Sequence, residues 1–201
     1  MITIVDYGLG NLGSIKNMLE YIGVTAEIQS DIKLIKKAKK IILPGVGRFD
    51  AAMLRINQSG LREVLDYKAL NEQVPILGIC LGMQLLTKTS EEGSLMGLGW
   101  IDADVKKFKL NKNFKVPHMG WNSIKISKFN NLTKLLENDS LFYFVHSYYV
   151  QTKKNENSLL KTSYGHQFDS GIVSKNIYGV QFHPEKSHKF GMRLFEQFAK
   201  L

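Results

Sequence analysis

Cys80 is the residue of this sequence best placed for nucleophilic chemistry. It lies in segment 76–86, where an apolar strand pattern meets Gly78-x-Cys80-x-Gly82 and continues into a helical pattern. Strand, sharp turn and helix in this order are typical of a nucleophile elbow, here with sulfur in place of oxygen. The glycines allow the chain to turn without Cβ clashes, and the positive end of the helix favours the thiolate. A lone cysteine is more often a small buried apolar residue, so a catalytic role requires a base nearby.

A candidate base lies about a hundred residues further on, in His183-Pro184-Glu185, which follows an apolar strand pattern. Proline fixes the backbone directly after the histidine, and Glu185 is placed to orient the imidazole and stabilise its charged form. The other four histidines lack a carboxylate within two residues in such a strand-end turn: His118, His146, His166 and His188. Sequence proximity is a weak criterion because triads assemble in space. His183 and Glu185 are nevertheless the favoured partners of Cys80.

A second pattern near the N-terminus points to a different class of protein. Gly8-x-Gly10-x-x-Gly13 follows the first predicted strand and opens a helix, and Glu27 lies further along the chain. These are the features of a dinucleotide-binding fingerprint. On the residues alone, a nicotinamide-binding protein is therefore the alternative, but it leaves Cys80 and His183 without a role.

The composition indicates one globular unit. The chain has 201 residues, of which 44% are hydrophobic, enough for a sizeable core in a single domain spanning residues 1–201. Its one cysteine excludes an internal disulfide. No signal peptide, membrane segment or metal-ligand spacing is visible, so we expect a cytoplasmic protein without a metal or cofactor. The net charge of +9 comes from scattered lysine runs without an aromatic stacking pattern, which favours a solvated surface over nucleic-acid binding and leaves an acidic partner or phosphorylated substrate as the alternative.

The hydrophobic periodicity predicts an α/β fold. Strands are predicted at 2–6, 26–29, 41–43 and 75–79, with helices at 12–21, 32–39 and 50–70, the last one broken near Ser59-Gly60. Strands that alternate with helices form a mostly parallel sheet covered on both faces, with ligands bound beyond the carboxyl ends of the strands. The second half predicts antiparallel additions at 100–110, 122–127, 141–152, 159–164 and 172–182, then a closing helix at 189–201.

With these segments in view, the sequence resembles the class I (triad) glutamine amidotransferases over essentially its whole length. The general family motifs are the Cys80 elbow through Gln84 and the turn Gln181-Phe182-His183-Pro184-Glu185. More narrowly, it is similar to the glutaminase subunits of imidazole glycerol phosphate synthase. The narrower motifs are Asp6-Tyr7-Gly8-Leu9-Gly10-Asn11, Pro44-Gly45-Val46-Gly47, Pro117-His118-Met119-Gly120-Trp121-Asn122 and Phe144-Val145-His146-Ser147-Tyr148. Ser147 stands where many relatives have threonine.

The resemblance implies an open Rossmann-like, flavodoxin-like fold and a role for each matched residue. Cys80 would attack the amide of L-glutamine, His183 would shuttle the proton, and Glu185 would orient His183. The oxyanion hole would be formed by Leu81 with the strand at Val46 and Gly47. Gln84 and the backbone at Ser147 and Tyr148 would hold the amino and carboxylate groups of glutamine. Asn11, Trp121, Tyr143 and Lys186 would face a partner protein, with core packing as the alternative for Trp121 and Tyr143.

The partner implied by the resemblance is a (β/α)8-barrel cyclase, which receives ammonia through an internal channel. It would form imidazole glycerol phosphate and a carboxamide ribotide in histidine biosynthesis. In this family the Gly8 to Gly13 segment is a loop near the partner and binds no dinucleotide. Two alternatives remain open: a paralogous glutaminase subunit that supplies an amidotransferase of surface-sugar biosynthesis, and a regulatory subunit without activity. The intact Cys80, His183 and Glu185 argue against the second.

Overall fold

A computed structural model describes all residues from Met1 to Leu201. The N-terminal half forms four parallel strands: β1 (Ile2–Val5), β2 (Ala26–Gln29), β3 (Ile41–Gly45) and β4 (Ile76–Cys80). They lie side by side in the order β2-β1-β3-β4. β1, β3 and β4 are buried along their whole lengths, as expected for parallel strands covered on both faces. The predicted α/β class is confirmed.

The first four helices of this half connect the parallel strands, and the fifth follows β4. They are α1 (Leu12–Tyr21), α2 (Ile32–Ile35), α3 (Phe49–Gln58), α4 (Leu61–Asp66) and α5 (Leu81–Leu85). The predicted helix 50–70 is interrupted at Ser59-Gly60, as expected, because Gly60 adopts a φ of 74°. A π-helical turn, Tyr67–Asn71, follows α4. The prediction for helix 32–39 was wrong in length, since α2 ends at Ile35.

The C-terminal half extends the sheet. Strand β13 (Ile177–Val180) pairs in parallel with β4, and β12 (His166–Ser174) and β10 (Tyr148–Thr152) continue in antiparallel fashion. The remaining strands of this sheet are β6 (Ala103–Lys107), β5 (Thr89–Ser90), β11 (Ser158–Tyr164) and β8 (Lys125–Ile126). Two further strands, β7 (His118–Ser123) and β9 (Leu141–His146), form a separate antiparallel pair.

Four strand predictions in this half were wrong in their bounds. Segment 100–110 contains only the five residues of β6. Segment 141–152 is two strands, β9 and β10, which belong to different sheets and meet at Ser147. Segment 172–182 contains the end of β12, a turn and β13. Segment 122–127 spans the end of β7 and the short β8. The chain changes direction at Ser147 and at Lys175-Asn176, where no glycine or proline marks the turn.

Two buried clusters fill the space on either side of the sheet. The closing helix α6 (His188–Lys200) buries Leu194, Phe195 and Phe198 in one of them, while Phe190 remains partly exposed. These apolar side chains lie on one stripe of the helix at helical spacing. None of the helices is both long and apolar enough to cross a membrane.

Candidate active site

The site is built where three neighbouring strands end. Strands β3, β4 and β13 are adjacent and parallel, so their carboxyl ends lie at the same edge of the sheet. Cys80 is the last residue of β4, Gly45 is paired with it in β3, and His183 follows β13. The sheet order therefore brings residues that are far apart in the sequence to one place.

The turn at Cys80 has the geometry of a nucleophile elbow. Cys80 adopts φ 56° and ψ −110°, outside the regions that residues other than glycine usually occupy. A Cβ at Gly78 would lie 2.6 Å from the carbonyl oxygen of Gly82, and one at Gly82 would collide with the carbonyl oxygen of Leu43. Both glycines are thus required by the close approach of the backbone. Helix α5, which begins directly after Cys80, has only 5 residues.

His183 is held by Glu185. Its Nδ1 lies 2.7 Å from Oε1 of Glu185, and both side chains are buried. Its Nε2 is buried and has no hydrogen-bond partner. Burial disfavours the imidazolium, but the interactions with Cys80 and Glu185 outweigh it and raise the pKa of His183 to about 10. The ring therefore carries a positive charge at neutral pH, beside Cys80 and paired with a carboxylate.

The end of β3 lies next to the nucleophile. Tyr7, buried two residues after β1, donates a hydrogen bond of 2.5 Å from its hydroxyl to the carbonyl oxygen of Pro44. Burial is the main cause that raises the pKa of Tyr7, so its hydroxyl stays protonated as a donor. Beyond this fixed point, Val46 and Gly47 are exposed, and Gly47 adopts a φ of 101°. The chain is thus anchored at Pro44, within β3. It has no such anchor at Val46 and Gly47, the two positions predicted for the oxyanion hole, which follow the strand.

A cavity of about 350 Å³ opens over the thiol, within the size range of small-molecule sites. It brings together nearly all the residues predicted to act on glutamine: Val46, Gly47, Cys80, Leu81, Gln84, Ser147, Tyr148 and His183. Glu185 lies behind His183 and does not line it. Gln84 Nε2 donates to the carbonyl oxygen of Tyr148 at 3.3 Å and to Oε1 of Gln181 at 3.1 Å. The side chain of Gln84 therefore supports the wall of the cavity.

Sequence reasoning missed two residues of the site. Gln181 Nε2 lies 3.8 Å from the Cys80 sulfur as a donor. A signal was available, because Gln181 is two residues before His183 and alternation along an extended chain places both side chains on the same side. Glu92 lines the cavity, and its Oε2 accepts a hydrogen bond from the backbone N–H of Phe49 at 2.9 Å. It lies after the short strand β5, where no periodic pattern or motif marks it.

The residues predicted to face a partner form a surface beside the site. Trp121 and Tyr143 are opposite each other in the β7–β9 pair. The ring of Trp121 stacks on His188 at 5.5 Å, and Nζ of Lys186 lies 5.6 Å from the ring centre of Tyr143. Trp121 is 48% exposed, so the core-packing alternative is wrong for Trp121. We call Trp121, Tyr143, Lys186 and His188 the aromatic face.

Two further contacts connect the aromatic face with the rest of the site. The backbone N–H of His183 donates to the carbonyl oxygen of Tyr143 at 2.9 Å, so the aromatic face and His183 share a hydrogen bond. Asn11 directly precedes α1, a helix that packs against the Pro184–Lys186 turn. All four residues predicted for the interface thus lie on β7, β9, the Pro184–Lys186 turn or the start of a helix packed against that turn.

The Gly8 loop has the position expected of a dinucleotide fingerprint, directly after β1 and before α1. Its backbone is already engaged, because Gly8 N–H donates to the Asp6 carboxylate at 2.8 Å and the Gly8 carbonyl accepts from Arg55 at 2.9 Å. The loop therefore lacks the free N–H at Gly8 that would cradle a phosphate.

Comparison with known proteins identifies the family. The pattern of the glutamine amidotransferase class-I family matches residues 3–201. The chain belongs to the class-I glutamine amidotransferases. This assignment gives the Cys80 elbow a family context and leaves the dinucleotide interpretation without support.

Curated relatives resemble the chain over its full length. It is 56% identical over 200 residues to the imidazole glycerol phosphate synthase subunit HisH 2 of Methanococcus maripaludis, covering 100% of this chain and 99% of the relative. It is 45% identical over 201 residues to the HisH 2 subunit of Pseudomonas aeruginosa, with 100% of both covered. The HisH subunit of Archaeoglobus fulgidus is 45% identical over 202 residues, covering 100% of this chain and 98% of the relative.

Solved structures show the same fold. A crystal structure described as a glutamine amidotransferase has a TM-score of 0.76 at 16% identity, with 100% of both chains covered. The crystal structure of a glutamine amidotransferase from Thermotoga maritima has a TM-score of 0.66 at 18% identity, covering 99% of this chain and 82% of that one. The predicted amidotransferase fold is confirmed.

Proposed function

We propose that this chain is the glutaminase subunit of imidazole glycerol phosphate synthase. It hydrolyses L-glutamine to glutamate and ammonia, and a cyclase subunit uses the ammonia in histidine biosynthesis. The main evidence for glutamine hydrolysis is that Cys80 and His183 lie at adjacent strand ends over one cavity, with His183 hydrogen-bonded to Glu185. The full-length similarity to HisH subunits supports the assignment to histidine biosynthesis. In this proposal residues 1–201 act as one cytoplasmic amidotransferase domain.

The reaction follows from the charges at the site. The Cys80 thiolate attacks the side-chain carbonyl carbon of glutamine, and the carbonyl oxygen takes the negative charge. His183, protonated at neutral pH, gives its Nε2 proton to the leaving nitrogen, so that ammonia departs and a thioester remains. Water then attacks the thioester, His183 accepts its proton, and the bond to sulfur breaks to release glutamate. Glu185 keeps the proton on Nδ1 throughout.

The oxyanion requires N–H donors that are fixed before the reaction, each worth roughly 3 kcal/mol. The first is the amide of Leu81, directly after the nucleophile, and the second comes from Val46 or Gly47. Because Tyr7 anchors Pro44 while Val46 and Gly47 are exposed, a peptide rotation would be confined to the exposed end of the strand. A partner that contacts this end would therefore control the second donor.

The charged ends of glutamine require opposite groups. Glu92 is the only carboxylate that lines the cavity, so it is the natural partner of the α-ammonium group. The backbone at Ser147 and Tyr148 lies on the wall and would contact the α-carboxylate, with Gln84 holding that wall in place through Tyr148. Glu92 is thus a binding residue in this proposal in addition to those predicted from the sequence.

The partner is proposed to be a (β/α)8-barrel cyclase that docks on the aromatic face. Trp121→Ala should weaken association by about 2 kcal/mol, or about thirtyfold in Kd, because half-exposed aromatic anchors dominate interface energies. Calorimetric titration of the cyclase into each variant measures this. The matched control is Tyr21→Ala, a 78% exposed aromatic at the far end of α1. An unchanged Kd for Trp121→Ala would place the interface elsewhere.

Hydrolysis should depend on the partner. We expect the isolated chain to have weak glutaminase activity, with kcat rising about 10²- to 10³-fold in the complex with the cyclase and its ligand, the value of one oxyanion donor. Steady-state glutamate production with and without the partner measures this. Full activity of the isolated chain would refute control through the Val46–Gly47 segment.

The choice of pathway is tested by reconstitution. The chain is combined in turn with a histidine-pathway cyclase and with a cyclase-like partner of sugar amidation, and each pair is assayed with glutamine and its own acceptor. We expect glutamine-dependent product only with the histidine intermediate. Product only with the sugar acceptor would refute the proposed pathway while leaving the glutaminase chemistry intact.

A further inference from the structure

Two buried histidines that the proposed reaction does not use connect β7 to the glutamine cavity. His118 Nδ1 lies 2.9 Å from Nε2 of His146, and His146 Nδ1 lies 2.7 Å from the carbonyl oxygen of Tyr148. At the other end, Nδ2 of Asn122 lies 3.1 Å from Nε2 of His118. The two rings are 2% and 6% exposed. A continuous chain of three hydrogen bonds therefore runs from Asn122 to the wall of the cavity.

The groups at the two ends of this hydrogen-bond series determine which ring nitrogen of each histidine carries the proton. The Tyr148 carbonyl can only accept, so His146 carries its proton on Nδ1. In a neutral imidazole the other nitrogen then accepts, so Nε2 of His146 receives a proton from Nδ1 of His118. By the same reasoning Nε2 of His118 accepts from the amide of Asn122. Each ring accepts on the side of β7 and donates toward Tyr148.

Burial keeps both rings neutral. It lowers the pKa of His146 to about 3 and that of His118 to about 4. A second proton on His146 would also place two donors face to face at the His118–His146 contact, and a second proton on His118 would do so at its contact with Asn122. The arrangement is consequently unchanged over the pH range in which the proposed reaction operates.

The series of hydrogen bonds ends where the polypeptide passes from one sheet to the other. Ser147 separates β9, in the two-stranded sheet, from β10, in the main sheet. The carbonyl of Tyr148, the first residue of β10, receives His146 Nδ1–H and Gln84 Nε2–H together. The series of hydrogen bonds begins on β7, the strand that carries Trp121, because His118 and Asn122 both lie on this strand. The hydrogen bonds thus tie the aromatic-face strand to the segment that contacts substrate.

We propose that His118 is a positioning residue for glutamine binding: through His146 it holds the Ser147–Tyr148 backbone in the conformation that receives the substrate. This rests on the proposed glutaminase function and adds a role for a residue that touches no substrate. His118 stacks between Phe144 at 4.8 Å and Tyr164 at 4.1 Å. Its ring nitrogens can therefore be removed while an aromatic ring keeps the packing.

The test compares His118→Phe with His118→Asn in the complex with the cyclase. Phenylalanine keeps the stacking but leaves Nε2 of His146 without a donor, and we expect the KM for glutamine to rise about tenfold with little change in kcat. Asparagine places an amide N–H near the position of Nδ1 and should restore the KM. The matched control is His166→Phe, in the same aromatic cluster around Phe108, because Nε2 of His166 has no partner to lose.

A spectroscopic measurement tests the protons directly. In the wild-type protein labelled with ¹⁵N-histidine, a coupling across the hydrogen bond should connect Nδ1 of His118 with Nε2 of His146, with Nδ1–H as the tautomer of both rings. An Nε2–H tautomer of His146 would overturn the proposal. If His118→Phe does not fold, His118→Asn is compared with His118→Gln, whose longer side chain puts the amide away from Nδ1.

The outcomes separate the two proposals. An unchanged KM in His118→Phe, an equal rise in His166→Phe, or no rescue by asparagine would each overturn the role of His118 while wild-type activity upholds the glutaminase. A wild-type chain that hydrolyses no glutamine with any partner would refute the proposed function itself.

Discussion

Cys80→Ala should reduce glutamine hydrolysis by about 10⁵- to 10⁶-fold, below the limit of detection, because no other group of the cavity can form the thioester. Cys80 is the only cysteine in the chain, and Gln181 and His183 cannot replace a sulfur nucleophile. The fold should be retained, since alanine removes one atom from a side chain at the edge of the buried cluster. Glutamate production by the reconstituted complex is the measurement.

The decisive control for Cys80→Ala is synthesis from added ammonia. The cyclase in complex with this variant should still form product at the wild-type rate when ammonium salt replaces glutamine, because its own active site is untouched. Cys80→Ser serves as a near-isosteric second variant and should also fail to hydrolyse glutamine at a useful rate. Loss of both the glutamine- and the ammonia-dependent activity would mean that Cys80 supports the structure of the complex and is not the nucleophile.

The N-terminal half was predictable because its signals are local. Strands β1, β2 and helix α1 were placed almost to the residue, since each apolar pattern stops at a clear boundary such as Gly23, which adopts a φ of 76°. The elbow was also predictable from the sequence, because its backbone contacts require glycine at positions 78 and 82 and these glycines are visible in the sequence. In these segments local preference and the final fold agree.

The C-terminal half was less predictable because its turns carry no such signals. The chain reverses between β12 and β13 at Lys175-Asn176, where a lysine adopts a φ of 52° that glycine or asparagine would ordinarily supply. It passes from one sheet to another at Ser147 without glycine or proline. Only the short polar run Ser174-Lys175-Asn176 marks the first point, and no turn residue marks the second, so a single long strand was predicted at each.

The unpredicted parts of the site have the same physical origin. Glu92 enters the cavity from a loop whose position depends on a hydrogen bond to Phe49, at the start of α3. The pairing of His118 with His146 depends on the β7–β9 register, in which these two residues are opposite each other. Contacts of this kind are set by tertiary packing, and neither spacing nor composition records them.

Glu185→Gln should lower kcat by about 10³- to 10⁴-fold through two linked effects. Glutamine has nearly the same volume, but its amide can donate to Nδ1 of His183 and so favour the wrong tautomer. It also removes a negative charge 2.7 Å from the ring. The second effect should shift the pKa of His183 downward from about 10, because burial, which disfavours the imidazolium, is then opposed by Cys80 alone.

The sign of the pH effect distinguishes this role from a structural one. In the wild-type chain the imidazolium should persist from neutral pH until the pH approaches 10, whereas in Glu185→Gln the ring should lose its proton at lower pH. NMR titration of His183 in both proteins measures the shift, alongside kcat in the complex. Glu63→Gln, an exposed carboxylate on α4, is the control. A Glu185→Gln variant with kcat within tenfold of wild type and an unshifted His183 would show that Glu185 does not orient the base, and the triad would then reduce to the Cys80–His183 pair.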